Sequence, residues 1–410
     1  MEYGLLGEHL PHSFSKIIHE KFGKYNYELK ELSLDGFKKF MQAKKFKGIN
    51  ITIPYKETAL DFVDEIDESA KAIGAINTVI NKNGTLIGFN TDYLGLKLLI
   101  EKNNITIKNK KIVILGSGGT SKTAYTVAKN LGAKEIIKVS RSKKDNTCSY
   151  EELEKLHNNA DVLFNTTPVG MYPNNEESII DLNIFHNLNA VIDVIYNPLK
   201  TTLLINAENK GIKAVSGLYM LVAQAAFAAD MFLENENIMT RIDTVYKELL
   251  NEKTNIVLIG MPASGKSTIA KELSKKLNRS FVDTDALIVE KYGAISDIFE
   301  KYGEEYFRSI ETKIIKEVSS LSGIIIATGG GAVLKEENIR ALKQNGKLYF
   351  LNRPLSELIP TSDRPLASDE NKIKKLYNDR IDIYTNLAEE IITVKNDASF
   401  AVQQILDKHK

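Results

Sequence analysis

The chain has 410 residues, 43% hydrophobic and 26% charged, with a formal net charge of +1 and a single cysteine. That length exceeds what one core usually holds, so two or three domains are expected, and the near-zero charge gives no bulk attraction to nucleic acid or an anionic membrane. One thiol, Cys148, excludes an internal disulfide and a cysteine-based metal site, and no apolar run is long enough to span a bilayer. The opening MEYGLLGEHLPHSFSK lacks the charged head and apolar run of a secretion signal, so the expected location is cytoplasmic.

Residues 1–110 alternate strand-like runs with helical patterns. Strands are expected at Tyr27–Leu32, Gly48–Ile53, Ala75–Ile80 and Thr85–Phe89, and helices at Phe14–Lys21, Leu34–Lys44 and Thr58–Ile66. From Lys111 the pattern becomes βαβ: KIVILG, a helix through Leu131, EIIKVSR, a helix near Tyr150–His157, ADVLFNTT and AVIDVIY. Near-continuous Val/Ile runs read as parallel strands buried on both faces. GLYMLVAQAAFAADMFL is an apolar helix, and IMTRIDTVYKELLNEK reads as one further helical stretch. TNIVLIG then starts a new βα pattern, which puts a boundary near Asn251–Thr254 with a helical joint.

Two glycine loops of different design punctuate this α/β pattern. The first, Gly116-Ser117-Gly118-Gly119-Thr120-Ser121, follows a strand and opens a helix, as a pyrophosphate cradle does. Ser121 stands where a third glycine or alanine is usual. The ribose-reading position, roughly 20 residues on, has no acid. It reads Ser140-Arg141-Ser142-Lys143-Lys144, which suits a 2′-phosphate and so NADP rather than NAD. The plainer alternative is a basic strand end facing water.

A nicotinamide site needs a substrate site with a proton donor at the reacting oxygen. Lys56, just after a strand and Pro54, and Asp92, at a strand-to-helix turn, are the candidate pair. Ser13 and Ser15 offer hydroxyls to a carboxylate, and Asn77 an amide. Singly, each has a bland reading: a surface lysine, a helix cap, a turn residue. Together HSFS, NITIPYKE, GAINT, NTD, GSGG, SRS, NTTPVGM, DVIYNPLKT and GLYMLVAQAAFA follow the order and spacing of shikimate dehydrogenase. Residues 1 to about 235 resemble that family. The resemblance implies that Lys56 is the acid/base and Asp92 its partner, and that Ser13, Ser15, Thr52, Asn77, Asp92, Tyr196 and Gln224 line the shikimate site. It assigns Gly116, Ser117, Gly118, Gly119, Thr120, Ser140, Arg141, Ser142, Lys144, Ile195 and Gly217 to NADP(H). Lys16 departs from the family's usual proline, NTTP from its NATS, and Tyr93 from its glycine beside Asp92, where it is expected to reshape the pocket.

The second loop, Gly260-Met-Pro-Ala-Ser-Gly265-Lys266-Ser267, matches the pattern GxxxxGK[ST] between a strand and a helix. Its backbone N–H groups wrap a triphosphate, Lys266 reaches the β/γ oxygens and Ser267 binds Mg2+. GIIIATGGG ends without the aspartate usual on a Walker B strand. FVDTDALI supplies Asp283 and Asp285, GEEYFRSIE Arg308, TSDRPLAS a lid with Arg364, and NDRIDIY Arg380. Arginines with an aspartate suit a small hydroxy acid. The alternatives are an ion pair with a nearby glutamate for Arg308 and an i,i+4 surface pair for Arg380.

From Thr254 to Lys410 these segments resemble shikimate kinase, with a lid between YFLNRP and DRPL shorter than in many members. The resemblance implies shikimate contacts from Asp285, Arg308, Gly330, Gly331 and Arg380. It implies ATP contacts from Ala263, Ser264, Gly265, Lys266, Ser267, Thr268 and Arg364, catalytic roles for Lys266, Arg364 and Asp283, and Mg2+ held by Ser267 and Asp283. The expected architecture is an α/β substrate domain (1–104), a Rossmann NADP-binding domain (105–250) whose last helices can pack back on it, and a P-loop kinase domain with a parallel sheet (254–410). The expected function is reduction of 3-dehydroshikimate with NADPH, then phosphorylation of shikimate with MgATP. The alternatives are a quinate-directed dehydrogenase and a half retained only for binding. Small molecules are the expected partners, and the chain is expected to be a monomer or homodimer.

Overall fold

The computed structural model describes residues 1–10, 14–142, 146–234, 237–359, 369–395 and 397–409. Two compact units are present: residues 1–197 with 206–249, and residues 250–410 with 198–205.

The first unit holds two sheets. Strands β1 (Tyr3–Gly7), β2 (Tyr27–Glu31), β3 (Gly48–Ile51), β4 (Glu65–Ile66), β5 (Thr78–Lys82) and β6 (Thr85–Phe89) form a mixed sheet in the order β2-β1-β3-β5-β6-β4. Then β7 (Lys111–Leu115), β8 (Glu135–Val139), β9 (Val162–Asn165), β10 (Ala190–Asp193) and β11 (Lys213–Ser216) form a parallel sheet in the order β11-β10-β9-β7-β8. Strand order reverses between β7 and β9, and at such a reversal a crevice opens beyond the carboxyl ends of the strands.

The apolar helix forms over Leu218–Leu233 and packs on the helix Thr91–Lys102 and on β3 and β5. Gly95 lets the two helices close: a Cβ there would stand 2.7 Å from Met220 O.

Two expected elements differ. Thr58–Ile66 is not a helix but a 3-10 turn, Thr58–Phe62, followed by β4. The Asp64 carboxylate accepts Leu86 N at 2.7 Å and Lys44 Nζ at 2.9 Å, and this side-chain pull draws the chain out along β6. The stretch from Ile238 breaks at Arg241 into helices Asn237–Thr240 and Ile242–Lys253. The Arg241 guanidinium is drawn to Lys21 O and Phe22 O, carbonyls at the end of the helix Ser15–Phe22.

In the second unit β12 (Asn255–Ile259), β13 (Phe281–Asp283), β14 (Ile325–Ala327), β15 (Gly346–Asn352) and β16 (Glu390–Thr393) form a parallel sheet in the order β13-β14-β12-β15-β16. Apolar residues cover both faces: Ile310, Ile314, Phe350 and Tyr384 belong to one buried cluster, Ile269, Leu273, Tyr349 and Ile405 to the other. Residues 198–205 belong to this unit through backbone bonds. Leu199 N donates to Asn345 Oδ1 at 2.9 Å and Lys200 N to Gln344 O at 2.8 Å. Among the described residues no helix is long and apolar enough to cross a membrane.

Candidate active sites

The first site opens beyond the end of β3. Lys56 Nζ donates to Asp92 Oδ2 at 2.6 Å, with both side chains about a quarter exposed or less (27% and 21%). Asp92 lies in the first turn of the helix Thr91–Lys102, whose cap is Asn90, so the helix start fixes the carboxylate beside the lysine. Asn77 is buried, and its Oδ1 accepts Thr91 N at 2.7 Å. That engagement turns the amide nitrogen to other uses. Gln224 is braced by its own helix, with Nε2 donating to Leu221 O at 2.9 Å. The Tyr196 ring packs on Phe14, and burial, then the charge of Asp92, raise its hydroxyl pKa.

Ser15, Thr52, Lys56, Asn77, Asp92, Tyr196 and Gln224 share one cavity of about 400 Å3 with Thr120 and Gly217 of the cofactor set. Ser13 lies outside the described residues. The sequence reading missed His9, Asn50 and Met220 on the same wall. Asn50 carried a signal, an amide beside Thr52 in NIT, whereas nothing in the pattern marks His9. Tyr93, expected to reshape this pocket, is absent from the lining. Its hydroxyl instead accepts Asn130 Nδ2 at 3.0 Å.

The glycine loop fits a dinucleotide pyrophosphate. Gly116 has φ +112° and would place a Cβ 2.7 Å from Thr166 Oγ1, so only glycine serves. At Gly118 and Gly119 a Cβ would meet no atom within 4 Å, an open cradle that a side chain would fill. The helix Gly119–Asn130 starts there with its free N–H groups. Ser121 fills the third-glycine position without loss: it is buried and donates to Gly116 O at 2.8 Å. Ser140 Oγ reaches Ser117 Oγ at 3.4 Å, while Arg141 and Ser142 are exposed at the end of β8. Ile195 N is pinned by Asp193 Oδ1 at 3.1 Å, and Gly217 N by Ile195 O at 3.0 Å. Lys144 lies outside the described residues.

The second site starts where β12 ends. Gly265 at φ +93° turns the chain into the helix Lys266–Leu277, and Ala263 takes a left-handed φ of +63°. Lys266 is buried, donating to Gly260 O at 2.9 Å and Met261 O at 2.8 Å. Ser267 Oγ donates to Asp283 Oδ2, placing a hydroxyl and a carboxylate side by side. Ala263, Gly265, Lys266, Ser267, Thr268, Asp283, Asp285, Thr328 and Arg353 line a cavity of about 310 Å3. Ser264 is buried with an Oγ that has no hydrogen-bond partner. Oxygen donors beside a phosphate loop are what Mg2+ requires, since it binds through one or two carboxylates plus substrate phosphates. Among the described residues no group of three or more His, Cys, Asp or Glu side chains could hold a metal ion.

Next to Asp285 lies a buried charged cluster. A Cβ on Gly329 would stand 2.5 Å from Asp285 Oδ1 and 2.8 Å from Glu311 Oε1, and one on Gly331 2.1 Å from Arg308 Nη1. The glycine turn thus lets these side chains close over the backbone. Arg308 is ion-paired, with Nη1 on Glu311 at 2.7 Å and Nη2 on Glu304 at 3.0 Å. Burial works to lower its pKa, but the two carboxylates outweigh it and the net direction is up. Nε also bonds Glu304, so three of five N–H donors are committed and two remain. Burial raises the Glu311 pKa against the pull of Arg308. Arg380 is buried rather than on the surface, and Nη1 donates to Gly330 O at 3.2 Å, a carbonyl that also accepts Tyr384 Oη. Sequence reasoning missed Glu311 and Tyr384; the i+3 spacing from Arg308 to Glu311 was the available signal. Arg364 lies outside the described residues.

Comparison with known proteins follows the same two-part division. Residues 5–79 match the shikimate dehydrogenase substrate binding domain, and residues 262–410 match shikimate kinase. A shikimate dehydrogenase (NADP(+)) of Clostridium beijerinckii is 37% identical over 249 residues, covering 57% of this chain and 92% of that protein. The chain belongs to the shikimate dehydrogenase family. A chorismate mutase/shikimate 5-dehydrogenase fusion protein from Clostridium acetobutylicum superposes with a TM-score of 0.56 at 39% identity, over 60% of this chain and 96% of that one. Shikimate 5-dehydrogenase of Thermus thermophilus in complex with NADP(H) and shikimate gives a TM-score of 0.52 at 27% identity, over 60% and 99%. With a shikimate kinase domain matched at residues 262–410, the chain is a bifunctional enzyme of the shikimate pathway, using NADP(H) in one half and ATP in the other.

Proposed function

We propose that the first unit reduces 3-dehydroshikimate to shikimate with NADPH and the second phosphorylates shikimate to its 3-phosphate with MgATP. The working division is residues 1–104 for the first substrate, 105–250 for NADP(H) and 254–410 for the kinase. The observation that carries the reading is the 2.6 Å contact of Lys56 with Asp92 on the wall of the first cavity. NADPH, when bound, supplies the hydride to the carbonyl carbon. Lys56 gives a proton to the carbonyl oxygen as it becomes a hydroxyl, and Asp92 holds the ammonium in line. Ser15, Thr52, Asn77, Tyr196 and Gln224, with Ser13, orient the ring and its carboxylate.

In the kinase half, Asp285 accepts a hydrogen bond from the attacking hydroxyl of shikimate. Arg380 and the two remaining donors of Arg308 address its carboxylate. Lys266 meets the β/γ oxygens, and Ser267 with Asp283 holds Mg2+. A coupled assay tests the whole: 3-dehydroshikimate, NADPH and MgATP, with shikimate and its 3-phosphate followed over time. Both products should appear in sequence. Faster turnover of quinate with NADH would move the first half to another substrate, and binding without turnover would make that half a scaffold.

A further inference from the structure

Arg353 and Pro354, which close β15, have no part in the reading above. In the sheet, β15 runs beside β12 with Phe350 opposite Ile259, so the chain leaving β15 emerges next to the phosphate loop leaving β12. Ligands of open α/β sheets collect beyond such carboxyl ends. Arg353 lines the same 310 Å3 cavity as Ala263, Gly265, Lys266 and Ser267.

The Arg353 side chain is 21% exposed, and among the described residues it is held by long contacts. Nη1 is 3.4 Å from Ala263 O, Nη2 is 3.5 Å from Lys395 O, and Nε is 3.5 Å from Glu357 Oε2. All three are at the outer limit for an N–H···O bond. By contrast, Lys266 is tied at 2.8–2.9 Å to the Gly260–Met261 end of the loop. A guanidinium on two weak main-chain contacts and one long ion pair to Glu357 gains by exchanging the main-chain contacts for charge-assisted bonds to phosphate oxygens. Its planar fork can grip two oxygens at once.

We propose that Arg353 is a nucleotide-binding residue of the kinase half, gripping the phosphates from the Ala263 end of the loop while Lys266 serves the other. This rests on the reading of the loop as an ATP site. The test is titration calorimetry of the full-length chain with MgADP, with no shikimate present, for wild type, Arg353→Ala and Arg353→Lys. Arg353→Ala should bind ADP about 10- to 100-fold more weakly, the range for one hydrogen bond to a charged group. Arg353→Lys should recover part of the loss, and the KM for ATP should rise more than kcat falls. An ADP Kd within twofold of wild type, in a variant that melts at the wild-type temperature, would overturn the proposal and leave Arg353 as a pin between two loops. Should the alanine variant fail to fold, Arg353→Gln keeps the stem and removes the charge, and the same criterion applies. Wild type failing to bind ADP would defeat the ATP-site reading itself.

Discussion

Replacing Lys56 with alanine removes the one ammonium that Asp92 orients at 2.6 Å, while the serines, Asn77 and Gln224 stay in place. The dehydrogenase kcat should fall at least ~10²-fold, the low end for a lost acid/base group, with a smaller change in KM for shikimate. Steady-state rates in both directions check this, and a near wild-type kcat would take Lys56 out of the chemistry. Arg380→Ala is the matching test in the kinase. The buried guanidinium bonds Gly330 O at 3.2 Å, and deleting it should cost shikimate binding about 2–5 kcal/mol, with the Kd for ATP held and only partial rescue by lysine. A surface ion pair would predict almost no effect. Both were candidates in the sequence because their segments, NITIPYKE and NDRIDIY, stand in the order of the families they resemble. Glu311 was legible only as a glutamate near Arg308; its approach to Asp285 and the glycine turn is set by the fold.

At the scale of single elements, the turn that follows β8 carries the exposed Arg141, and residues 140–144 hold no acid to read a ribose hydroxyl. Arg141→Ala should therefore weaken NADPH far more than NADH. Equal loss for both, in paired titrations, would leave Arg141 a structural role. The helix Ser15–Phe22 makes a different prediction. It carries His19, fully buried and stacked on Tyr27 with ring centroids 3.9 Å apart. Burial lowers the His19 pKa to about 3, against a raising contribution from Asn50. The folded ring stays neutral where the unfolded ring takes a proton, so between about pH 6.5 and 3 the unfolded state binds more protons. Stability is therefore lost as pH falls through that window, by up to roughly 1.4 kcal/mol per pH unit. His19→Phe should flatten this dependence. Melting curves of both proteins at pH 7, 6 and 5 decide it, and parallel losses would assign the acid sensitivity elsewhere. Element types were readable from alternation and apolar runs, but Thr58–Ile66 was not. Its conformation is set by the bonds of Asp64 to Lys44 and Leu86, which are 20 or more residues away in sequence.

For the whole molecule, two cradles built for different phosphates predict separable losses. Lys266→Ala should abolish phosphoryl transfer and spare NADPH-dependent reduction. A folded mutant losing both would contradict the division of labour. The two halves were legible because each carries its own strand, glycine loop and helix, within Lys111–Asn130 in the first and Asn255–Leu277 in the second. The path of residues 198–205 was not, since DVIYNPLKT reads as part of the first half. Leu199 N and Lys200 N bind Asn345 Oδ1 and Gln344 O, and Gln344 Nε2 reaches Thr202 Oγ1 at 3.4 Å. Gln344 and Asn345 are buried, at 1% and 3% exposure. A gene fragment begun just before β12 would encode every kinase motif and still remove the donors to Asn345 Oδ1 and Gln344 O and the Thr202 Oγ1 acceptor of Gln344 Nε2, at about 1–3 kcal/mol for each group left unsatisfied. A cut meant to release the kinase therefore belongs before Pro198 rather than before β12, because the second unit begins in the chain well ahead of its first strand.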